Sequence, residues 1–113
     1  MMNLKAKSVK LSLDSVEYQR LLKKGEDSFS IHSGFVTLKP GESIGAHSTD
    51  GCEEIIIVLE GKGELLIENS ASFKMKDGFV FYCPPRTLHN VTNAGDQLLK
   101  YIYVTAAVNK NIN

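Results

Sequence analysis

From Phe29 onward the chain consists of short runs of β-branched, aromatic and aliphatic residues, separated by glycine, proline, asparagine and aspartate. FSIHSGFVTLK is one such run, closed by a turn at Pro40-Gly41, and SIGAHS is a shorter one followed by the turn residues of STDG. EEIIIVLEGKGELLIEN holds a pair of strands, with Gly61-Lys62-Gly63 predicting a hairpin-type turn between them. SFKMKDGFVFYCPP is broken at Asp77-Gly78 and stopped by Pro84-Pro85. LHNVTNAGDQLLKYIYVTA gives a further pair on either side of Asn93-Ala-Gly-Asp96. Turn signals recur at short intervals and no long helical period appears. The pattern predicts an all-β sandwich or barrel.

The first 28 residues read differently. Val9, Leu11 and Leu13 alternate with polar residues, which predicts a half-buried strand. Asp14-Ser-Val-Glu17 then offers a cap for a short helix through Leu22, closing at Gly25. The expected organisation is an N-terminal segment over 1–28, a barrel over 29–108 and a tail over 109–113. Within the barrel, Ile55 to Leu59 is apolar on both strand faces. One face belongs inside the barrel, and the other needs a second cover. In a chain this small that cover can be a second subunit, so a homodimer is expected.

Composition narrows the function classes. The 113 residues carry 13 Lys plus Arg and 13 Asp plus Glu, with no basic run or acidic tail. No nucleic acid or anionic membrane partner is therefore expected. No apolar run is long enough for a membrane span. The opening MMNLKAKSVK is basic but leads into no apolar stretch with a cleavage site, so a cytoplasmic chain is expected. Cys52 and Cys83, in a chain with no export signal, fit a reduced pair rather than a disulfide.

Two spaced motifs carry the chemistry. The first has Gly41, five residues, His47, then Glu54, six residues and Gly61. The second has Gly78, five residues, Pro84, then His89, three residues and Asn93. These intervals resemble the paired motifs of the cupin superfamily, of the small conserved-barrel type, over most of residues 34 to 105. The resemblance implies an antiparallel double-stranded β-helix, or jelly-roll barrel. It also implies a metal held by three histidines and a glutamate, and a tendency to form homodimers. Two positions depart from the pattern. Thr49 stands where the second histidine of the first motif belongs, and Arg86 replaces a glycine in a turn. His47, Glu54 and His89 are the implied ligands that remain.

Strand parity gives an independent check. Residues two apart share a face, so His47 goes with Thr49, Glu54 with Ile56 and Val58, and His89 with Thr87 and Val91. Glu53 then points away, as a solvated charge. Two imidazoles and a carboxylate form a site for a divalent transition ion, a set typical of Fe(II) and open to Mn, Ni, Co or Zn. Thr49 is a poor ligand but can hydrogen-bond a metal-bound water or Glu54. His32, on an earlier strand, is a candidate for the missing imidazole, against the plainer role of a polar residue on a strand face. Cys83, before Pro84, reads as an inward, buried and inert thiol; Cys52 reads as more exposed and next to the site. Phe79, Phe81, Tyr101 and Tyr103 read as core or pocket wall, with the tyrosine hydroxyls available to a substrate.

Two functions stay open on these residues. One is a metalloenzyme of dioxygenase, isomerase or lyase type acting on a small polar or chelating metabolite. The other is a non-catalytic module that binds a sugar-like small molecule around a degenerate metal site.

Overall fold

A computed structural model describes residues 3–108, in which every regular element is a strand. The strands are β1 (Gln19–Leu22), β2 (Ile31–Leu38), β3 (His47–Ser48), β4 (Cys52–Glu60), β5 (Lys62–Ile67), β6 (Ser72–Lys76), β7 (Val80–Cys83), β8 (Leu88–Thr92) and β9 (Leu99–Ala107). They form a five-stranded sheet in the order β1-β2-β9-β4-β7 and a four-stranded sheet in the order β3-β8-β5-β6. All named pairings are antiparallel. The expected all-β barrel is therefore the observed one, two sheets closed face to face.

Six of the eight connections cross between the sheets. Gly61 does not turn a hairpin: β4 pairs with β9 and β7, whereas β5 pairs with β8 and β6. A register shift between Val58 and Glu60 bends β4 just before the crossing. At Gly61 the backbone has φ 97°, and a Cβ there would collide with the backbone of Leu98 and Leu99. Only glycine fits both the conformation and the contact. The breaks at Asp77-Gly78 and at Asn93 to Asp96 likewise pass from one sheet to the other. Asn93 is fully buried and holds its loop by donating to the carbonyls of Leu38 (2.9 Å) and Gln97 (2.8 Å) and accepting from the Gly95 amide.

The enclosed core is the inner face of both sheets. Ile56, Val58, Leu65, Met75, Val91 and Leu99 are each 2% exposed or less. Burying a side chain of this size stabilises the fold by roughly 1.5–3 kcal/mol. Parity decides the rest of β4: Ile55 is 42% exposed on the outer face, next to Tyr82 and Val104 of the neighbouring strands. Among the described residues, nothing fully covers the outer face of this strand at Ile55.

The N-terminal segment departs from expectation. No helix spans residues 14–22; Gln19–Leu22 instead extends the sheet as β1 along the edge of β2. Two helical turns are too short to hold by themselves, and the open edge of β2 offers backbone partners that a helix forgoes. Residues 9–13 are not a strand, because β1 already occupies that edge. They run on across the outer face, where Leu13 accepts from Lys100 Nζ and Ser15 from Thr37 Oγ1. Phe35, on the same face of β2, is fully buried. The segment is thus joined to the barrel sheet rather than set apart from it. The expected SIGAHS strand shrinks to His47–Ser48, interrupted where Gly45 adopts φ 101°. The expected tail over 109–113 lies outside the described residues.

Candidate metal centre

His47 and His89 face each other directly across the β3–β8 pair, and Glu54 reaches them from β4 in the opposite sheet. One potential ligand atom from each of the three lies within 4.8 Å of the others. His89 and Glu54 are buried, whereas His47 is exposed at the rim. The cluster therefore spans the gap between the sheets, with its open side at His47.

Each imidazole is oriented by a carbonyl two residues earlier. His47 Nδ1 donates to Gly45 O at 2.8 Å and His89 Nδ1 donates to Thr87 O at 3.1 Å. A carbonyl can only accept, so both Nδ1 atoms carry the proton and both Nε2 atoms are left as donors of a lone pair. This is the outer support that fixes a ligating histidine. Further out, Asn90 Oδ1 accepts from Ser43 Oγ (2.8 Å) and the Gly45 amide (3.0 Å), clamping the approach to β3 onto β8.

A divalent ion fits these residues on one observation. His89 Nε2 is buried and has no hydrogen bond. It lies 2.8 Å from Glu54 Oε1, an ion-pair contact when the ring is protonated on both nitrogens, but one outside hydrogen-bond geometry. A buried polar atom without a partner is costly. A cation between the imidazole and the carboxylate would satisfy both. Without one, the carboxylate of Glu54 raises the His89 pKa above its ordinary value, aided by the Thr87 carbonyl and opposed by burial.

Thr49 is not poised toward this cluster. Its hydroxyl donates to Pro84 O at 2.6 Å and accepts from the Thr87 amide at 3.0 Å. The side chain that replaces the second histidine is a brace for the loop leading to His89. Arg86, in that loop, has φ 56°, the left-handed conformation in which a glycine is free of strain. His32 lies on the same inner row as Glu54, since His32 pairs with Thr105 and Thr105 with Glu54. Two strand spacings separate them, about 10 Å, so His32 is not a third imidazole.

The remaining candidates divide cleanly. Tyr101 and Tyr103 line the cavity beside the cluster, and burial raises both phenol pKa values, with the charge of Glu54 contributing. Tyr103 Oη is already paired, at 2.6 Å, with Tyr18 Oη. Cys83, fully buried and directly opposite Glu54 on β7, is a core residue rather than a wall of the cavity. Burial and the Glu54 charge push its thiol pKa up to about 11. Cys52 is half-buried and does line the cavity. Glu53 points outward and accepts from Tyr82 Oη at 2.8 Å. Phe79 is 42% exposed and outside the core, and Phe81 packs partly against it. Tyr18 is the functional candidate that sequence reasoning missed.

The cavity above the cluster has a volume of about 530 Å³, the size of a small-molecule site. Among the described residues no helix is long and apolar enough to cross a membrane.

Two sheets closed into an antiparallel barrel, with imidazoles and a carboxylate at the mouth, define a double-stranded β-helix protein with a potential metal site. The chain belongs to the cupin domain family, which it matches over residues 34–105. It is 40% identical over 50 residues to an uncharacterised protein of Methanocaldococcus jannaschii, a match covering 44% of this chain and 39% of that protein. It thus spans well under half the length of that curated relative. Among solved structures it is similar to a Cupin 2 conserved barrel domain protein from Salinispora arenicola, with 25% identity and a TM-score of 0.73 over 92% of each chain. An RmlC-like cupin from Methanocaldococcus jannaschii shares the fold at 18% identity, with a TM-score of 0.77 over 90% of this chain and 91% of that one.

Proposed function

We propose that this chain binds one divalent transition ion through His47, Glu54 and His89, and that the ion captures a small chelating metabolite in the cavity. The observation that carries this reading is the buried Nε2 of His89, which makes no hydrogen bond and stands 2.8 Å from Glu54 Oε1 in a cluster with His47. Two imidazoles and one carboxylate suit Fe(II), and Mn, Ni, Co and Zn share the ligand preference. When bound, such an ion polarises a substrate oxygen or makes a bound water acidic, the chemistry of an oxygenase, isomerase or lyase. This chain's own residues orient both imidazoles, close one side with apolar wall and leave the His47 side open to solutes. Both thiols are free, in line with a reducing compartment.

Cobalt(II) titration followed by visible absorption tests the reading. Wild type should develop saturable bands that chelator removes and that His89→Ala lacks. Absence of bands in wild type at any cobalt concentration contradicts it.

Binding without turnover is the second reading. Thr49 spends its hydroxyl on the loop backbone and Tyr103 shares its own with Tyr18, which occupies two of the hydroxyls that line the cavity. Affinity for a metabolite that survives chelation, with no product formed, would favour it. The expected homodimer would cover Ile55, Val80 and Tyr82 on the outer face, and sedimentation equilibrium distinguishes it from a monomer.

A further inference from the structure

The wall of the cavity facing the metal cluster is aromatic, and part of it comes from outside the family-matched region. Tyr18 lies just before β1, whereas the family match begins at Gly34. Its ring stacks on Tyr103, with centroids 6.5 Å apart and planes 16° from parallel, and the two hydroxyls are bonded at 2.6 Å. Gly34 makes this possible. A Cβ at that position would strike the Tyr18 ring and hydroxyl, and would sit 2.8 Å from Tyr103 Cε1. His32 is tilted by 34° against Tyr103, with ring centroids 6.1 Å apart. Tyr18 is nevertheless 52% exposed, so half of it is open to a ligand.

The charges of the cavity add a second constraint. Among the described residues its lining contains no lysine and no arginine. A divalent ion and the Glu54 carboxylate leave a nominal charge of about one positive unit, which one ligand carboxylate neutralises. A second carboxylate or a phosphate would enter an apolar-walled cavity without a cation to meet it, a costly burial. A sugar fares poorly for a different reason. Its many hydroxyls need many partners, and along this wall the bonded tyrosine pair has one hydroxyl hydrogen left to offer.

We propose that the cavity takes an oxygen chelator of at most one negative charge that carries a flat apolar body, and that Tyr18 is the residue that selects the body. The chelating head rests on the metal reading above; the preference for a flat body rests on Tyr18, Tyr103 and Gly34 alone.

Three 2-oxo acids share one chelating head and differ in the body: pyruvate, phenylpyruvate and 2-oxoglutarate. Calorimetric titration of nickel-loaded wild type should show phenylpyruvate bound about tenfold more tightly than the other two, the size expected for ring burial with aromatic contact. Tyr18→Ala should remove most of that advantage while leaving pyruvate affinity unchanged, and Tyr18→Phe should keep it. An advantage that survives Tyr18→Ala, tighter binding of 2-oxoglutarate, or no binding of any of the three overturns the proposal. The same titrations on metal-free protein separate the two readings. Loss of the nickel dependence alone defeats the metal reading, since a Tyr18-dependent phenyl preference would persist without it.

Discussion

His47 and His89 stand directly opposite each other on β3 and β8, with ring centroids 4.3 Å apart and planes tilted by 55°. Each is held by a carbonyl two residues back, Gly45 for one and Thr87 for the other. The same local device, repeated on neighbouring strands, orients both imidazoles, and the Nε2 of His89 lies 2.8 Å from Glu54 Oε1. Side chains opposite each other in an antiparallel pair share a face, so the backbone register alone brings the imidazoles together.

Thr49 supports the loop rather than the ion. Thr49→Val keeps the shape and removes the hydroxyl, leaving Pro84 O and the Thr87 amide without their partner. Chemical denaturation should show a loss of about 1–3 kcal/mol. Metal stoichiometry should be unchanged. A stable variant that fails to bind metal would instead make Thr49 a ligand.

In the metal-free protein, Glu54 holds the His89 proton more tightly than the unfolded chain does. The resulting stabilisation is complete below the unfolded histidine value of roughly 6.5 and is lost as pH rises through the higher folded value. The stability difference between metal-free wild type and Glu54→Gln should therefore shrink as pH rises from about 6 to about 8. Metal binding should run the other way and strengthen with pH, because the ligands must first lose protons. Urea titrations at each pH measure the first trend.

The cysteines should separate by reactivity. Cys52 is half-buried, whereas Cys83 is fully buried with its thiol pKa pushed up to about 11. A thiol reagent near neutral pH should label Cys52 alone in the folded protein, and Cys83 only on unfolding. Equal labelling of both would contradict the burial of the β7 end.

Gly61 and Gly78 adopt similar backbone conformations, with φ 97° and 83°, but only Gly61 is crowded. Gly78→Ala should cost about 1–2 kcal/mol, the left-handed penalty alone. Gly61→Ala meets the Leu98 and Leu99 backbone as well and should be clearly worse. Thermal unfolding of the two variants compares them.

Much of the site was legible because its spacing and its parity agree. His47, Glu54 and His89 fall at fixed intervals, and alternation puts each on an inner face. The sheet crossing at Gly61 was not legible, since the same turn residues serve a hairpin and a switch between sheets. Nor was β1, because the advantage of pairing with β2 is a tertiary one that a capped Asp14–Leu22 pattern does not reveal. His32 has the right parity but stands two strands from Glu54, a distance set by sheet order. Tyr18 escaped notice because its partner, Tyr103, lies 85 residues away.

The central claim is that three named side chains hold one divalent ion. Elemental analysis of protein purified without chelator or affinity tag, and again after reconstitution with Fe(II), Mn, Ni or Zn, tests it most directly. Wild type should carry about one equivalent of metal, and His47→Ala, Glu54→Ala and His89→Ala should each lose it while remaining folded. A wild type that stays metal-free after reconstitution, or variants that keep a full equivalent, would contradict the claim.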